Sequence, residues 1–118
     1  MDGDPPRWEG EGNDQVRRPG SQNMITATWN GTVIAESDRT KVVEGNHYFP
    51  IDDVHTELLL DSPTTSRCPW KGKANYYSVA VGRTVNTDAA WTYHKPTFLA
   101  RKITDHVAFW HGVEVTER

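Results

Sequence analysis

The chain has 118 residues, a length that one hydrophobic core can serve and that leaves no room for a second domain. Its 13 basic and 16 acidic side chains give a formal charge of −3, which argues against a surface that binds nucleic acid by neutralising phosphates. A single cysteine excludes an internal disulfide framework and any zinc site built on paired thiolates.

Residues 1–23 hold four glycines and three prolines, and their only large apolar side chains are Met1, Trp8 and Val16. That is too little burial to offset the entropy of ordering, so the composition predicts a flexible tail, with residues 24–118 as a single β-rich domain. Trp8 and the Arg17-Arg18 pair are the tail's candidate anchors on the body. The tail carries five acidic and three basic side chains, which leaves the body nearly neutral. No run of eighteen apolar residues occurs, and the N-terminus lacks the basic start and apolar stretch of a signal peptide. The expectation is a cytoplasmic protein with no membrane partner.

The body opens with Ile25, Ala27 and Trp29 alternating with threonines, then Asn30-Gly31, then Thr32, Val33 and Ile34. Asn-Gly between alternating runs predicts a hairpin with a type I′ turn, because both central residues need positive φ. A third strand is expected over Thr40–Glu44, broken by Gly45-Asn46. In "PIDDVHTELLLDSP", Asp52 or Asp53 can cap a helix start, Val54, Leu58 and Leu59 form an apolar stripe, and Ser62-Pro63 stops it. The pattern predicts a helix of about two turns. Asp61 to Gly72 then reads as a long polar loop. "NYYSVAVGRTVNT" reads as two strands about Gly82-Arg83, since Tyr77, Val79 and Val81 alternate with Ser78 and Ala80. "AAWTYH" and "HVAFWHGVEVTE" add two or three strands, the last pair turning at His111-Gly112. Between them "TFLARKIT" is either one helical turn or an irregular crossover. The sum is a mainly β domain of six to eight strands with one or two short helices.

The segment "DSPTTSRCPWKG" is the one most suited to chemistry, because loops of about twelve residues in compact domains tend to bind or catalyse. Cys68 precedes Pro69 and is pushed toward an extended conformation. Arg67, Lys71 and Lys73 lie close in sequence, and nearby cations stabilise a thiolate. Against this, free cysteine is among the most buried residue types, and Trp70, Tyr76 and Tyr77 suit a core. The bland reading is favoured, because no sequence rule sets a histidine or acid beside Cys68.

Five histidines, His47, His55, His94, His106 and His111, carry no metal-binding spacing, so no metal and no cofactor is expected. The glycines are isolated turn residues, with no phosphate-cradling pattern. Trp29, Trp70, Trp91 and Trp110 with Tyr48, Tyr76, Tyr77 and Tyr93 are mostly core, but two or three facing a cleft could stack a base, a planar ring or a cation.

The stretches "VVEGNHYFPIDDV", "TSRCPWKGKANYYSV", "AAWTYHKP" and "DHVAFW" resemble the family called domain of unknown function 427, over Thr26 to Val115. The segment "CPWKGKANYY" is its most specific motif. The resemblance implies a β-tent-like fold, two antiparallel sheets packed at an angle, shared with methionine sulfoxide reductase B and the ligand-binding domain of cereblon. Relatives in that architecture hold a structural zinc on two pairs of cysteines; one cysteine here implies that packing alone pins the sheets. The resemblance brings no established activity, and the nucleotidyltransferase-like label sometimes given to the family meets no phosphate motif in this chain.

By similarity, Glu44, Asn46, Tyr48, Thr65, Cys68, Trp70, Lys71, Tyr76, Trp91 and Tyr93 belong to the family's signature. If the turn at Gly45–Phe49 meets the Cys68 loop, several of them line one cleft. The favoured reading is a module that binds a small molecule or modified residue. Trp70, Trp91 and Tyr76 would supply stacking, and Asn46, Thr65 and Lys71 hydrogen bonds and a charge. One alternative is an enzyme with Cys68 as nucleophile or redox centre, Lys71 or Arg67 activating it and Glu44 or His47 carrying protons. Another is a protein-interaction domain, monomeric or homodimeric, using edge strands and an aromatic patch.

Overall fold

The structure is a computed structural model, and it describes residues 24–117. The expected tail, with Trp8 and Arg17-Arg18, lies outside the described residues. Among the described residues, nine strands form two antiparallel sheets. A three-stranded sheet has the order β2-β1-β9, with β1 Ile25–Trp29, β2 Thr32–Ser37 and β9 Glu114–Glu117. A six-stranded sheet has the order β3-β4-β8-β7-β6-β5. Its strands are β3 Lys41–Val43, β4 Asn46–Pro50, β5 Leu59–Cys68, β6 Gly72–Val81, β7 Thr84–Thr92 and β8 His106–Phe109. The mainly β class is as the strand patterning predicts, and the two antiparallel sheets are as the family resemblance implies.

Turn chemistry builds the frame. Asn30 and Gly31 adopt φ of 53° and 76° between β1 and β2, the geometry the Asn-Gly pair predicts. Glu44-Gly45 repeats it between β3 and β4, with φ of 54° and 81°. Gly82, at φ 60°, opens the two-residue turn between β6 and β7. His111-Gly112 also turns with positive φ, but the strands on either side of it do not pair. β8 bonds to β4 and β7, whereas β9 crosses to β1 in the other sheet, so this turn links the two layers rather than closing a hairpin.

The expected two-turn helix is absent. Ile51–Asp53 and Thr56–Leu58 are single 3-10 turns without side-chain caps, and Val54 between them is extended and bridges to Ala35. Leu58 and Leu59 pack on the inter-sheet core from this irregular path, so tertiary burial overrides the helical spacing.

The long loop is also corrected. Residues 59–68 form the outer strand of the large sheet, paired with β6 through Leu59↔Val79 and Cys68↔Gly72. Ser62-Pro63-Thr64 bulges out of the ladder between Asp61 and Thr65. Proline is tolerated because an edge strand and a bulge leave its missing donor without consequence. "TFLARKIT" forms 3-10 turns over Phe98–Ile103, kinked at Ala100.

Strand alternation divides the large sheet into two faces. On one, Phe49, Val79, Ala90, Val107 and Phe109 pack against Ile25, Ala27, Ile34 and Ala35 of the small sheet. On the other, Tyr48, Ala74, Tyr93 and Ala108 pack with Val43, Ala100 and Ile103, so the Phe98–Ile103 segment covers one end of that face. The other end carries the aromatic groups described next.

Candidate functional site

Period-two alternation brings Tyr48 of β4, Trp91 of β7 and Tyr76 of β6 to the face away from the small sheet, because Trp91 pairs with both Tyr76 and Ala108. Tyr93 follows two residues after Trp91, and Trp110 two residues after Ala108. These side chains form a row in contact. Tyr93 and Tyr48 lie 6.5 Å apart, Tyr48 and Trp91 meet edge-to-face at 6.2 Å, and Trp91 and Trp110 meet edge-to-face at 5.4 Å. Trp110 then leans on Tyr76 at 6.3 Å. The edge-to-face geometry sets the positive rim of one ring on the negative face of the next. Burial falls along the row: Tyr48 and Tyr93 are buried, Trp91 and Tyr76 half-buried, and Trp110 is 43% exposed.

Polar atoms fix the rings. The Trp91 indole N–H donates to the Tyr48 hydroxyl at 3.2 Å, Ser66 and Tyr76 share a hydroxyl bond of 3.0 Å, and the Trp110 indole N–H donates to the Asp88 carbonyl at 2.6 Å. His111 stacks flat on Trp110, centroids 4.1 Å apart.

At the buried end stands an ion pair. Lys71 is only 7% exposed, and its ammonium donates to the Glu44 carboxylate while lying 5.6 Å from the Trp70 ring and 5.7 Å from the Tyr93 ring. The Trp70 indole donates to the second Glu44 oxygen at 3.1 Å. Positive φ at Glu44 puts its side chain at a hairpin turn, and a glutamate in that left-handed region costs about 1–2 kcal/mol. The turn holding Trp70 and Lys71 is strapped from outside: Thr97 N–H donates to the Lys71 carbonyl at 2.9 Å and the Thr97 hydroxyl to the Trp70 carbonyl. Gly72, beside the strap, takes φ of 109°, a conformation that residues with a Cβ rarely adopt.

The Lys71 and Trp70 hydrogen bonds, in that order, hold the Glu44 carboxyl below its ordinary range. Burial pulls the Lys71 ammonium down, but the Glu44 hydrogen bond, the Tyr48 and Tyr93 phenols and the Glu44 charge together outweigh it and leave its pKa raised. Burial, opposed by Lys71, raises the Tyr93 phenol. At neutral pH the corner therefore holds an ammonium, a carboxylate and a neutral phenol. Lys71 is not a free amine nucleophile.

The sequence profile of Domain of unknown function (DUF427) matches residues 18–117. The chain belongs to this family. No curated protein matches it. Of the DUF427 signature residues expected to act together, the structure gathers Glu44, Tyr48, Trp70, Lys71, Tyr76, Trp91 and Tyr93 on one face. Asn46 opens β4 on that face, paired with Val43. Thr65 stands apart: it pairs with Asn75, on the opposite face from Ser66 and Tyr76, and is exposed.

Cys68 ends β5 on the aromatic face, half-buried. The proton carriers suggested for it are otherwise engaged. Glu44 is held by Lys71 and Trp70, and His47 alternates to the other face and bonds Thr40 at 2.9 Å. Two residues of the DUF427 face escaped sequence reasoning. Trp110 follows its strand in "HVAFWHG" as one aromatic among several read as mostly core, and Asp88 falls between the two strands expected at "GRTVNT" and "AAWTYH", which the structure joins as β7. Among the described residues no group of three or more histidine, cysteine or acidic side chains could hold a metal ion, and no helix is long and apolar enough to cross a membrane.

Proposed function

We propose that this domain is a cytoplasmic binding module that receives a small planar group on the exposed end of the aromatic row. The observation that carries this reading is the row itself. Five rings are held in contact on one sheet face, and the most exposed of them, Trp110, keeps 43% exposure although Trp91, Tyr76, the flat-stacked His111 ring and a backbone carbonyl fix its position. Rings fixed in this way lose little further entropy when a ligand stacks on them. Trp110 and Tyr76 form the platform, Trp91 its inner wall, and the Ser66 and Tyr76 hydroxyls the polar rim.

The Glu44–Lys71 pair supports the site from behind rather than meeting the ligand, because its charges satisfy each other and Lys71 is buried. A neutral planar heterocycle suits this arrangement best, since stacking on a ring face needs no charge. Titrating the protein with caffeine, a neutral planar probe, while reading the indole N–H signals tests the proposal. Shifts at Trp110 and Trp91 support it, and unmoved signals there overturn it.

A further inference from the structure

Both strands that flank β6 carry a two-residue excess at neighbouring points of the ladder. Ser62-Pro63-Thr64 of β5 opposes the single residue Tyr76, and Thr87-Asp88-Ala89 of β7 opposes the single residue Ser78. Asp88 joins the two bulges across the intervening strand. Its carboxylate accepts from the Ser62 hydroxyl at 2.5 Å and the Thr64 hydroxyl at 2.7 Å, while its amide donates to the Ser78 hydroxyl at 3.1 Å. Its backbone takes φ of 55°, a left-handed conformation that aspartate tolerates better than most residues. The carbonyl of the same residue accepts the Trp110 indole N–H.

We infer that Asp88 is the positioning residue of the aromatic face: its carboxylate, held by Ser62 and Thr64 on the edge strand, fixes the backbone carbonyl that anchors the ring of Trp110 against Tyr76. The inference concerns the site in the preceding proposal, and rests on that reading only for its effect on affinity. A bulge re-aims side chains locally, and here two bulges are held in a fixed relation by charge-assisted hydrogen bonds, stronger than those between neutral groups. The edge strand therefore sets the angle of a ring three strands away in the sheet. Sequence gives no sign of this, because residues 62, 64, 88 and 110 share no spacing rule.

The test removes the hydroxyls and leaves both Asp88 and Trp110 in place. In the Ser62→Ala/Thr64→Val double variant, the indole N–H signal of Trp110 shifts, its exchange with water accelerates, and its ring contacts to Tyr76 weaken. The indole signal of Trp29, in the small sheet, stays where it is. Asp88→Asn, which keeps the backbone carbonyl, moves Trp110 in the same direction. Caffeine affinity falls about threefold to tenfold in both, the range for losing one or two ordinary hydrogen bonds. The Trp110 signal is read without ligand, so it separates the two ideas. An unmoved Trp110 in both folded variants overturns the positioning role, whatever caffeine does, whereas a moved Trp110 in a protein that never binds caffeine upholds it and defeats the binding reading.

Discussion

Lys71 lies over the ring of Tyr93, its ammonium 5.7 Å from the ring centroid, with Trp70 at a similar distance and the Glu44 carboxylate as counter-ion. These are the parts of an aromatic cation site, and the protein has filled it with its own lysine. An exogenous cation would have to displace a buried, paired ammonium to enter. Tetramethylammonium is therefore expected to leave the Trp70 indole signal unmoved at concentrations where caffeine moves Trp110. A Trp70 shift with tetramethylammonium would show that the corner is open to ligands.

The same pair makes an ordered prediction for two variants. Glu44→Gln leaves the buried Lys71 ammonium without a counter-charge, whereas Lys71→Met fills the space with an apolar chain and leaves a half-exposed carboxylate that water can solvate. Urea unfolding should show the larger loss of midpoint for Glu44→Gln. A larger loss for Lys71→Met would mean that the pair is net stabilising, beyond its desolvation cost.

The carboxylates predict an acid limb. Glu44 and Asp88 are held below their ordinary values of 4.5 and 3.8, the first mainly by Lys71 and the second mainly by Ser62. A depressed folded-state pKa gives stability that is present above the unfolded value and is lost as pH falls through the folded one. Melting temperature should thus fall below pH 4.5, and Glu44→Gln and Asp88→Asn should each flatten part of that fall. Lys71 acts at the other end: its raised pKa gives stability complete below 10.5 and lost as pH rises through the higher folded value. The Tyr77 and Tyr93 phenols, also raised, lose stability in the same alkaline range, so Lys71→Met should shrink that limb without abolishing it.

Gly72→Ala tests the strap that holds the Trp70-Lys71 turn. Its φ of 109° is nearly closed to residues with a Cβ, whereas the added carbon would meet the Thr97 nitrogen at about contact distance, so backbone strain carries the cost. A destabilisation of about 1–3 kcal/mol is expected, the usual cost of one such backbone position. A change below about 0.5 kcal/mol, as at ordinary surface sites, would mean that the turn relaxes freely.

Local chemistry made part of this legible in advance. Asn30-Gly31 and Gly82-Arg83 announced their turns because few residues accept positive φ, and the alternation of Tyr77, Val79 and Val81 matched a half-buried strand. The errors came where long-range pairing decided. Ser62-Pro63 reads as a stop in one dimension but is a bulge on a sheet edge, and the Val54-Leu58 spacing fits a helix until Ala35 offers Val54 a bridge. Of the site, the motif around Trp70 and Lys71 and the signature acid Glu44 were visible. That Glu44 neutralises Lys71, rather than leaving its charge for a ligand, depends on a hairpin turn meeting a distant strand end. Trp110 and Asp88 stayed hidden for the same reason.

The central claim is that the exposed end of the aromatic row binds a planar group, and a caffeine titration followed through the indole N–H signals tests it most directly. Saturable shifts at Trp110 and Trp91, little change at Trp29, and their loss in a folded Trp110→Ala variant are the expected result, with affinity near the millimolar range of a small fragment, about 1 mM. No shift at Trp110 or Trp91 up to about 10 mM, or shifts that persist unchanged at Trp91 in Trp110→Ala, would contradict the account.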